Sequence, residues 1–220
     1  MASSLQKEKP STHDYQIKPI HPFNSEKMTS KHLHFETSRL ILRPWKETDA
    51  ASLYKYAQDP MVGTKAGWPP HTSVENSLTI IRSVFSAPEI YAVVLKATQE
   101  PIGSIGLLLQ ENQKKKEAEI GYWIGKPYWG QGLIPEAVRC ILQRGFTALN
   151  LQTIWGGYYE GNHQSCKVME KCGFTYHHTE FDKISPLGDI RTEHFTRITS
   201  NEYLNNSFLS RIVKKQPHAQ

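Results

Sequence analysis

The clearest candidate binding site in the sequence is a glycine-containing turn near the middle of the chain. An apolar segment that ends at Ile124 leads into Trp129-Gly130-Gln131-Gly132-Leu133, where a long amphipathic pattern begins. Glycine permits tight turns and lets backbone N–H groups approach a ligand closely. The first N–H groups of a helix lack helical partners and carry partial positive charge. This pattern predicts a strand–turn–helix unit that can hold a pyrophosphate.

A purely structural turn has the same composition, and this alternative stays open from the residues alone. The third glycine of a Rossmann fingerprint is missing, and so is the Gly-Lys-Ser/Thr of a P-loop. The sequence therefore favours an anion site that does not belong to either of these two nucleotide-binding classes.

A second polar pair stands at the start of a later predicted helix. Asn162 and Ser165 are three residues apart, directly after an apolar strand pattern. This spacing places both side chains on the first helical turn, on the side that faces the strand ends. Asn162 is also a typical helix N-cap, a structural role that needs no ligand. Both interpretations of Asn162 stay open at this level.

Hydrophobic periodicity predicts the elements that position these residues, in the order β-α-α-β-β-β-α-β-α-β-β. The predicted strands lie around Leu40 and Leu42 and at 91–96, 102–109, 117–124, 153–158, 175–181 and 192–199. The predicted helices are 47–57, 73–85, 132–149 and 162–172, and Gly63 to Pro70 is expected to be a loop. A meander followed by β-α-β-α-β predicts an α+β or α/β sheet with helices on both faces.

Composition and charge limit the classes of function. The 220 residues carry a net charge of +5. This excess lies in residues 1–33 and 205–220, whereas residues 34–204 have 18 basic and 18 acidic side chains. A nucleic-acid partner is therefore disfavoured. We expect a disordered leader at 1–33, one domain at 34–204 and a basic tail at 205–220. Met28 is an alternative translation start.

The sequence contains no apolar run long enough to span a membrane, and its first residues lack the apolar core of a signal peptide. Its three cysteines form no CxxC pair, and its ten histidines show no metal-ligand spacing. We expect a cytoplasmic protein with no metal and no membrane partner.

Three blocks together resemble the GNAT N-acetyltransferase superfamily, in particular its ribosomal-protein-alanine N-acetyltransferase branch. They are the opening strand Phe35-Glu-Thr-Ser-Arg-Leu-Ile-Leu-Arg-Pro-Trp45, the segment from Glu119 to Ala137, and Asn162-x-x-Ser-x-Lys-Val-Met-Glu-Lys-Cys-Gly-Phe174. The resemblance covers roughly residues 34–203. One departure is Pro127, which stands where the superfamily motif has Gln or Arg.

The resemblance implies an α+β (α/β three-layer) fold, with a mixed, mostly antiparallel, splayed sheet of about seven strands. It also implies direct acetyl transfer from acetyl-CoA to a primary amine. A backbone N–H near Trp123 or Ile124 would stabilise the oxyanion. The implied acetyl-CoA-binding residues are Tyr122, Trp123, Ile124, Trp129, Gly130, Gln131, Gly132, Leu133, Asn162, Ser165 and Lys167.

The resemblance also suggests catalytic roles, because the attacking amine must lose a proton and the leaving thiolate must gain one. Glu119, the acid on the central strand, is the candidate base. Its alternative is an ion pair with Lys114 or Lys116. Ser165 is the candidate acid and Tyr159 the second choice. A local hydrogen bond is the simpler role for a serine at a helix start.

The acceptor pocket is expected at the two early helices and their loop, around Trp45, Tyr54, Asp59, Trp68 and Glu75. Protein N-termini, polyamines, aminoglycosides and other small amines all fit the resemblance. A non-catalytic acyl-CoA-binding or regulatory module on the same fold is the alternative function. Such enzymes are commonly homodimers, but no sequence pattern identifies an interface here.

Overall fold

A computed structural model describes residues 34–109 and 116–206 of the chain. The expected leader at 1–33, nearly all of the expected hairpin tip at 111–116 and most of the expected tail at 205–220 lie outside these residues. The described part forms one mixed sheet with helices on both faces, which confirms the predicted fold class.

The sheet has eight strands in these ranges, in the spatial order β1-β2-β3-β4-β5-β6-β8-β7. The strands are β1 (Phe35–Glu36), β2 (Leu40–Arg43), β3 (Ile90–Leu95), β4 (Glu100–Leu109), β5 (Glu117–Ile124), β6 (Thr153–Tyr159), β7 (Thr175–Ile184) and β8 (Ile190–Thr199). Every neighbouring pair is antiparallel except β5 and β6, which are parallel.

Six α-helices accompany the sheet in the described residues. They are α1 (Ala50–Ala57), α2 (Pro60–Ala66), α3 (Val74–Ser83), α4 (Leu133–Gln143), α5 (His163–Lys171) and α6 (Ser200–Asn205). Residues of α1 and α3 pack on one face of the sheet, and residues of α4, α5 and α6 pack on the other.

Alternation along the strands divides the core between the two faces. On β2, Leu40 and Leu42 belong to the cluster under α4, whereas Ile41 packs in the cluster under α1. On β3, Val93 and Val94 divide in the same way. Successive strand side chains point to opposite faces, so near-continuous apolar runs mark strands covered on both sides.

The sequence prediction differs from the structure at four places. The expected seven strands are eight because the first is split: the Thr37 backbone N–H donates to Leu40 O at 2.9 Å, closing a turn between β1 and β2. The expected loop after Asp59 begins as α2. Asp59 caps this helix by accepting from Met61 N at 2.9 Å, and Pro60 occupies its first turn, where its missing N–H costs nothing.

The other two differences concern helix ends. The predicted helix 132–149 changes after Gln143 into a π-helical segment, Arg144–Ala148, closed by Leu149 N donating to Arg144 O at 3.1 Å. A side chain at Gly145 would meet Ile154 Cδ1 at 2.7 Å, so glycine permits close packing against the sheet there. The prediction missed α6, which begins with a capping box between Thr199 and Glu202.

The burial of α4 gives a prediction about stability. Leu142 is fully buried against the sheet, whereas Leu204 on α6 is 61% exposed. Leu142→Ala is expected to lower the free energy of unfolding by about 2 to 5 kcal/mol, because it leaves a cavity in the core. Leu204→Ala, the matched control, should change it by less than about 0.5 kcal/mol. Urea denaturation measures both, and equal effects would contradict the packing described for α4.

Candidate active site

The site begins where the two parallel strands at the centre of the sheet separate. β5 and β6 pair at only three positions, from Glu117↔Thr153 to Glu119↔Trp155. Beyond these positions β5 stays paired with β4 as far as Ile124, and β6 stays paired with β8 as far as Tyr159. A wedge-shaped gap therefore opens between their carboxyl ends.

Two hydrogen bonds determine which backbone groups of β5 face this gap. Lys116 O accepts from Gln152 N at 2.7 Å, toward β6, and Gly125 N donates to Ile102 O at 2.8 Å, toward β4. Because backbone groups alternate along a strand, Tyr122 and Ile124 present theirs to the gap and Trp123 presents its own to β4. Of the two predicted oxyanion donors, only Ile124 has its N–H on the gap side.

The glycine turn follows β5 and leads into α4. Gly130 and Gly132 have φ values of 75° and 72°, in the left-handed region that favours glycine. Nothing lies within 4 Å of where a Cβ of Gly130 would stand. The first N–H groups of α4 have no helical acceptor. The turn thus presents backbone donors beside open space, as an anion site requires.

Arg39, which directly precedes β2, supports this turn. Its Nη1 donates to Gln131 O at 2.9 Å, and its Nε contacts Glu136 Oε2 at 2.8 Å. Glu136 also accepts from the Arg39 backbone N–H at 2.8 Å, in the first turn of α4. The bonds from Thr37 and Arg39 hold the pKa of Glu136 below its usual value, although burial opposes this. The sequence analysis did not identify Arg39 as part of the site.

The gap and the turn open into a cavity of about 340 Å³, called here the turn cavity. Ten of the eleven predicted acetyl-CoA-binding residues line it, namely Tyr122, Trp123, Ile124, Trp129, Gly130, Gly132, Leu133, Asn162, Ser165 and Lys167. The exception is Gln131, whose side chain donates to Pro127 O at 2.9 Å and does not reach the lining. Lys65 and Lys171 also line the cavity but were not predicted.

The start of α5 closes the other side of the gap. Asn162 Oδ1 accepts from Ser165 N at 3.2 Å, so the side chain is the N-cap that the simpler interpretation predicted. Its Nδ2 also donates to Lys65 O at 3.2 Å, which ties α5 to α2. Tyr122 Oη donates to Ser165 O at 3.3 Å, and burial raises the pKa of Tyr122 well above its usual value. These bonds place the Ser165 side chain at the edge of the gap.

A second cavity of about 470 Å³, called here the acceptor cavity, lies beside the first. Tyr122, Trp123, Asn162 and Ser165 line both cavities, which therefore meet at the parted strands. Most of its other walls are aromatic or aliphatic, and its lining includes two carboxylates, those of Glu119 and Glu193. A group bound in one cavity can thus reach a group bound in the other at their junction.

Glu119 is the last position at which β5 pairs with β6, and its side chain lines the acceptor cavity. Burial raises the pKa of this carboxyl, as does the nearby charge of Glu193, and Lys183 opposes them. Among the described residues Glu119 forms no ion pair, so the expected alternative pairing with Lys116 is wrong. The other expected partner, Lys114, lies outside the described ranges.

Glu193 differs from Glu119 because it has a cationic partner. Lys183 Nζ lies 2.7 Å from Glu193 Oε2 and 2.9 Å from Glu180 Oε2. A Cβ on Gly157 would stand 2.6 Å from Glu193 Oε1, so this glycine lets the carboxylate lie over β6. No sequence motif pointed to Glu193, since its place depends on the pairing of β6 with β8.

Tyr159 lines the acceptor cavity at the end of β6, where Arg191 holds it. The Arg191 guanidinium stands 4.8 Å from the centroid of the Tyr159 ring, and its Nη1 donates to Thr64 O at 2.7 Å. Burial raises the pKa of Tyr159, and Arg191 opposes that shift. Arg191 thus connects β8 to α2 beside Tyr159.

Only one of the five residues expected around the acceptor lines this cavity, and it is Trp68. Trp45 is buried in the core, where its Nε1 donates to Ser104 Oγ at 3.2 Å. Asp59 caps α2, and Glu75 is exposed in the first turn of α3. Tyr54 lies on α1 outside the cavity lining. These four residues are near Trp68 in sequence but face other neighbours.

Within residues 34–109 and 116–206, no cluster of three or more His, Cys, Asp or Glu side chains is arranged to hold a metal ion. In the same ranges, none of the helices combines the length and apolar character needed to cross a bilayer.

Comparison with known proteins agrees with this geometry. Residues 39–175 match the acetyltransferase (GNAT) domain family. A protein of Bacillus licheniformis named "Uncharacterized N-acetyltransferase p20" is 33% identical over 143 residues, which cover 63% of this chain and 80% of that protein.

Solved structures share the fold. The GNAT-family acetyltransferase of Bacillus anthracis superposes with a TM-score of 0.69 at 20% identity, covering 77% of this chain and 99% of that one. The ribosomal-protein-S5-alanine acetyltransferase of Vibrio fischeri gives a TM-score of 0.64 at 21% identity, covering 77% and 97%. The family match, the similar fold and the parted strands lead to one conclusion: this chain belongs to the GNAT family of N-acetyltransferases.

Proposed function

We propose that the protein transfers an acetyl group from acetyl-CoA directly to a primary amine. The observation that carries this proposal is the junction of the two cavities at the parted strands. On one side lies a turn suited to a pyrophosphate, and on the other a partly buried carboxylate without a cationic partner in the described residues. This arrangement brings two substrates together without needing a nucleophilic side chain.

The residues of the turn cavity fit acetyl-CoA. Backbone donors at Gly130 and Gly132, together with the start of α4, suit the pyrophosphate. Lys65, Lys167 and Lys171 add positive charge to the lining. The backbone groups of Tyr122 face the gap and can pair with an amide of the pantetheine arm, as strand neighbours do. The Ile124 carbonyl accepts from Trp129 Nε1 at 2.9 Å, so at Ile124 the N–H is the group offered to the ligand. The fit rests on backbone groups, so Pro127 at the Gln or Arg position of the motif does not remove it.

The reaction needs a base, an oxyanion donor and an acid, and the described residues can provide all three. Glu119 accepts a proton from the ammonium of the acceptor, directly or through water, and a raised pKa suits a base that works near neutral pH. The neutral amine forms the C–N bond at the thioester carbon, while the Ile124 N–H stabilises the oxyanion. The C–S bond then breaks, and Ser165 gives its hydroxyl proton to the departing thiolate. The nitrogen of the new amide releases its surplus proton, which returns through water to Ser165 and restores the hydroxyl. Tyr159 is the second candidate for this last role.

The acetyl-CoA-binding module without activity remains the competing function. The partly buried Glu119 carboxylate opposes it, because desolvating such a charge costs stability that cofactor binding alone would not require. The three cysteines are free thiols, which supports the reducing cytoplasm as the place of action.

A protein N-terminus is one candidate acceptor. A protein of similar fold is named a ribosomal-protein-S5-alanine acetyltransferase, which supports a protein substrate.

The base assignment predicts the pH dependence of Glu119→Gln. The wild-type rate should rise with pH as Glu119 ionises. Because the pKa of Glu119 is raised, this rise should come at a pH above 4.5, the ordinary pKa of a glutamate. The variant should lose about 100-fold in kcat near pH 7, the usual size of a general-base contribution. The loss should shrink as the pH approaches about 10, where a lysine-like amine is already neutral. A thiol-release assay across this range measures the effect.

The control for this experiment is Glu160→Gln, a charge removal at an exposed position at the end of β6. It should leave the profile unchanged. The fold should survive in Glu119→Gln, because a raised pKa means that the ionised carboxylate costs stability above that pKa. The variant should therefore unfold at equal or higher urea concentration near neutral pH. An unchanged kcat near pH 7 would disprove the base role.

The acid assignment predicts a difference between two hydroxyl removals. Ser165→Ala should lower kcat about tenfold or more and change the dissociation constant of acetyl-CoA less than about threefold, because the proton is needed in the transition state. Tyr159→Phe should have the smaller effect on kcat. Single-turnover thiol release and calorimetric titration measure the two quantities. The reverse order of effects would transfer the role to Tyr159.

A further inference from the structure

The charges and walls of the acceptor cavity restrict which amine can bind there. This inference rests on the proposed function. We propose that the acceptor carries a single ammonium group on an apolar or aromatic body, and that polyamines are poor substrates. Two sources share this chemistry: a small arylalkylamine and a peptide whose N-terminal residue is apolar.

The charges around the cavity support one ammonium rather than several. The charged residues in its lining are Lys65, Glu119 and Glu193. Lys183 pairs with Glu193 at 2.7 Å. Asp189, which lies outside the lining, is paired with Arg191 at 2.8 Å. Among the described residues, this leaves Glu119 as the lining carboxylate without a cationic partner. A second ammonium would be desolvated here without a counter-ion, which is unfavourable.

The walls support an apolar body next to that ammonium. Trp68 and Trp123 pack edge to face with ring centroids 5.7 Å apart, and Phe85, Tyr158 and Tyr159 complete an aromatic lining. Such faces attract both apolar groups and a cation.

The position of Glu119 supports entry with the ammonium first. Glu119 and Trp123 lie four residues apart on β5, with Gly121 midway between them, so all three share one face of the strand. A Cβ at Gly121 would have nothing within 4 Å, which leaves room between them for an amine. The amine thus reaches the base and the junction of the cavities, while its body remains among the aromatic rings.

The experiment compares phenethylamine, a tripeptide amide that begins with Phe, and spermidine in the thiol-release assay. At least one of the first two should exceed spermidine in kcat/KM by about tenfold or more, because a hydrophobic pocket separates such acceptors by this order. The larger kcat/KM of phenethylamine or of the peptide shows which of these two kinds of acceptor fits the cavity better. Spermidine equal to or better than both would overturn the proposal.

A charge variant tests the reason for this selectivity. Lys183→Met frees Glu193 for a second ammonium, so the ratio of kcat/KM for spermidine to kcat/KM for phenethylamine should rise by about fivefold. The ratio is the readout because Lys183 also acts on the pKa of Glu119, an effect that both substrates share. Glu180→Gln is the matched control, since Glu180 contacts the same lysine but lies outside the cavity lining. Glu180→Gln should leave kcat/KM unchanged for both substrates. No rise of the ratio in Lys183→Met would contradict the charge argument.

A binding measurement separates failure of this inference from failure of the proposed function. Quenching of tryptophan fluorescence by each amine reports binding near Trp68 and Trp123 without requiring turnover. If none of the tested amines causes thiol release from acetyl-CoA, the proposed function fails. Tighter binding of phenethylamine or the peptide than of spermidine would still support the acceptor proposal. Tighter spermidine binding, or no amine binding at all, would overturn it.

Discussion

The rest of the site depends on one constraint, which is that β5 and β6 stop pairing after Glu119 and Trp155. Each strand keeps its outer partner, so the sheet stays continuous while its centre opens. Backbone groups that would be satisfied in an ordinary parallel pair then face a gap. Buried polar groups of the backbone require partners, and a ligand with its own amides can provide them. The separation of the strands thus creates both the space for such a ligand and the hydrogen-bonding groups that bind it.

Contacts from distant parts of the chain hold the edges of this gap. Arg39, directly before β2, links the glycine turn to the first turn of α4. Asn162 links α5 to α2, and Arg191 links β8 to the same helix. The site therefore has its precise shape only when the outer strands and α2 are in place. Residues outside the central motifs thus hold the walls of both cavities.

The sequence predicted the parts of the site that depend on local physics. The bounds of β5, the glycine turn and the cap at Asn162 all follow from periodicity, glycine conformation and capping chemistry, which act over a few residues. Nearly all of the residues for which the family resemblance implied acetyl-CoA binding line the turn cavity. Asp59-Pro60 was interpreted only as the end of one helix, although the same two residues begin the next.

Features that depend on tertiary pairing were not predictable from the sequence alone. Glu193 reaches the acceptor cavity because β8 lies beside β6, and no nearby motif marks it. Conversely, Asp59 and Glu75 have the right charge and lie close to Trp68 in sequence, but each serves its own helix. Choosing between Trp123 and Ile124 as the proposed oxyanion donor required knowing which backbone groups of β5 point toward β6. Two backbone hydrogen bonds at the ends of β5 supplied that direction.

The central claim is that the edge of β5 and the glycine turn bind acetyl-CoA through backbone donors. Residue-resolved amide hydrogen exchange, measured by NMR with and without acetyl-CoA, tests it most directly. The account predicts that exchange slows by about tenfold or more at Tyr122, Ile124 and residues 130–134, because these N–H groups gain acceptors. Trp123 should change little, since its backbone already faces β4. Unchanged exchange at Ile124 and at the turn, with acetyl-CoA bound, would contradict the account.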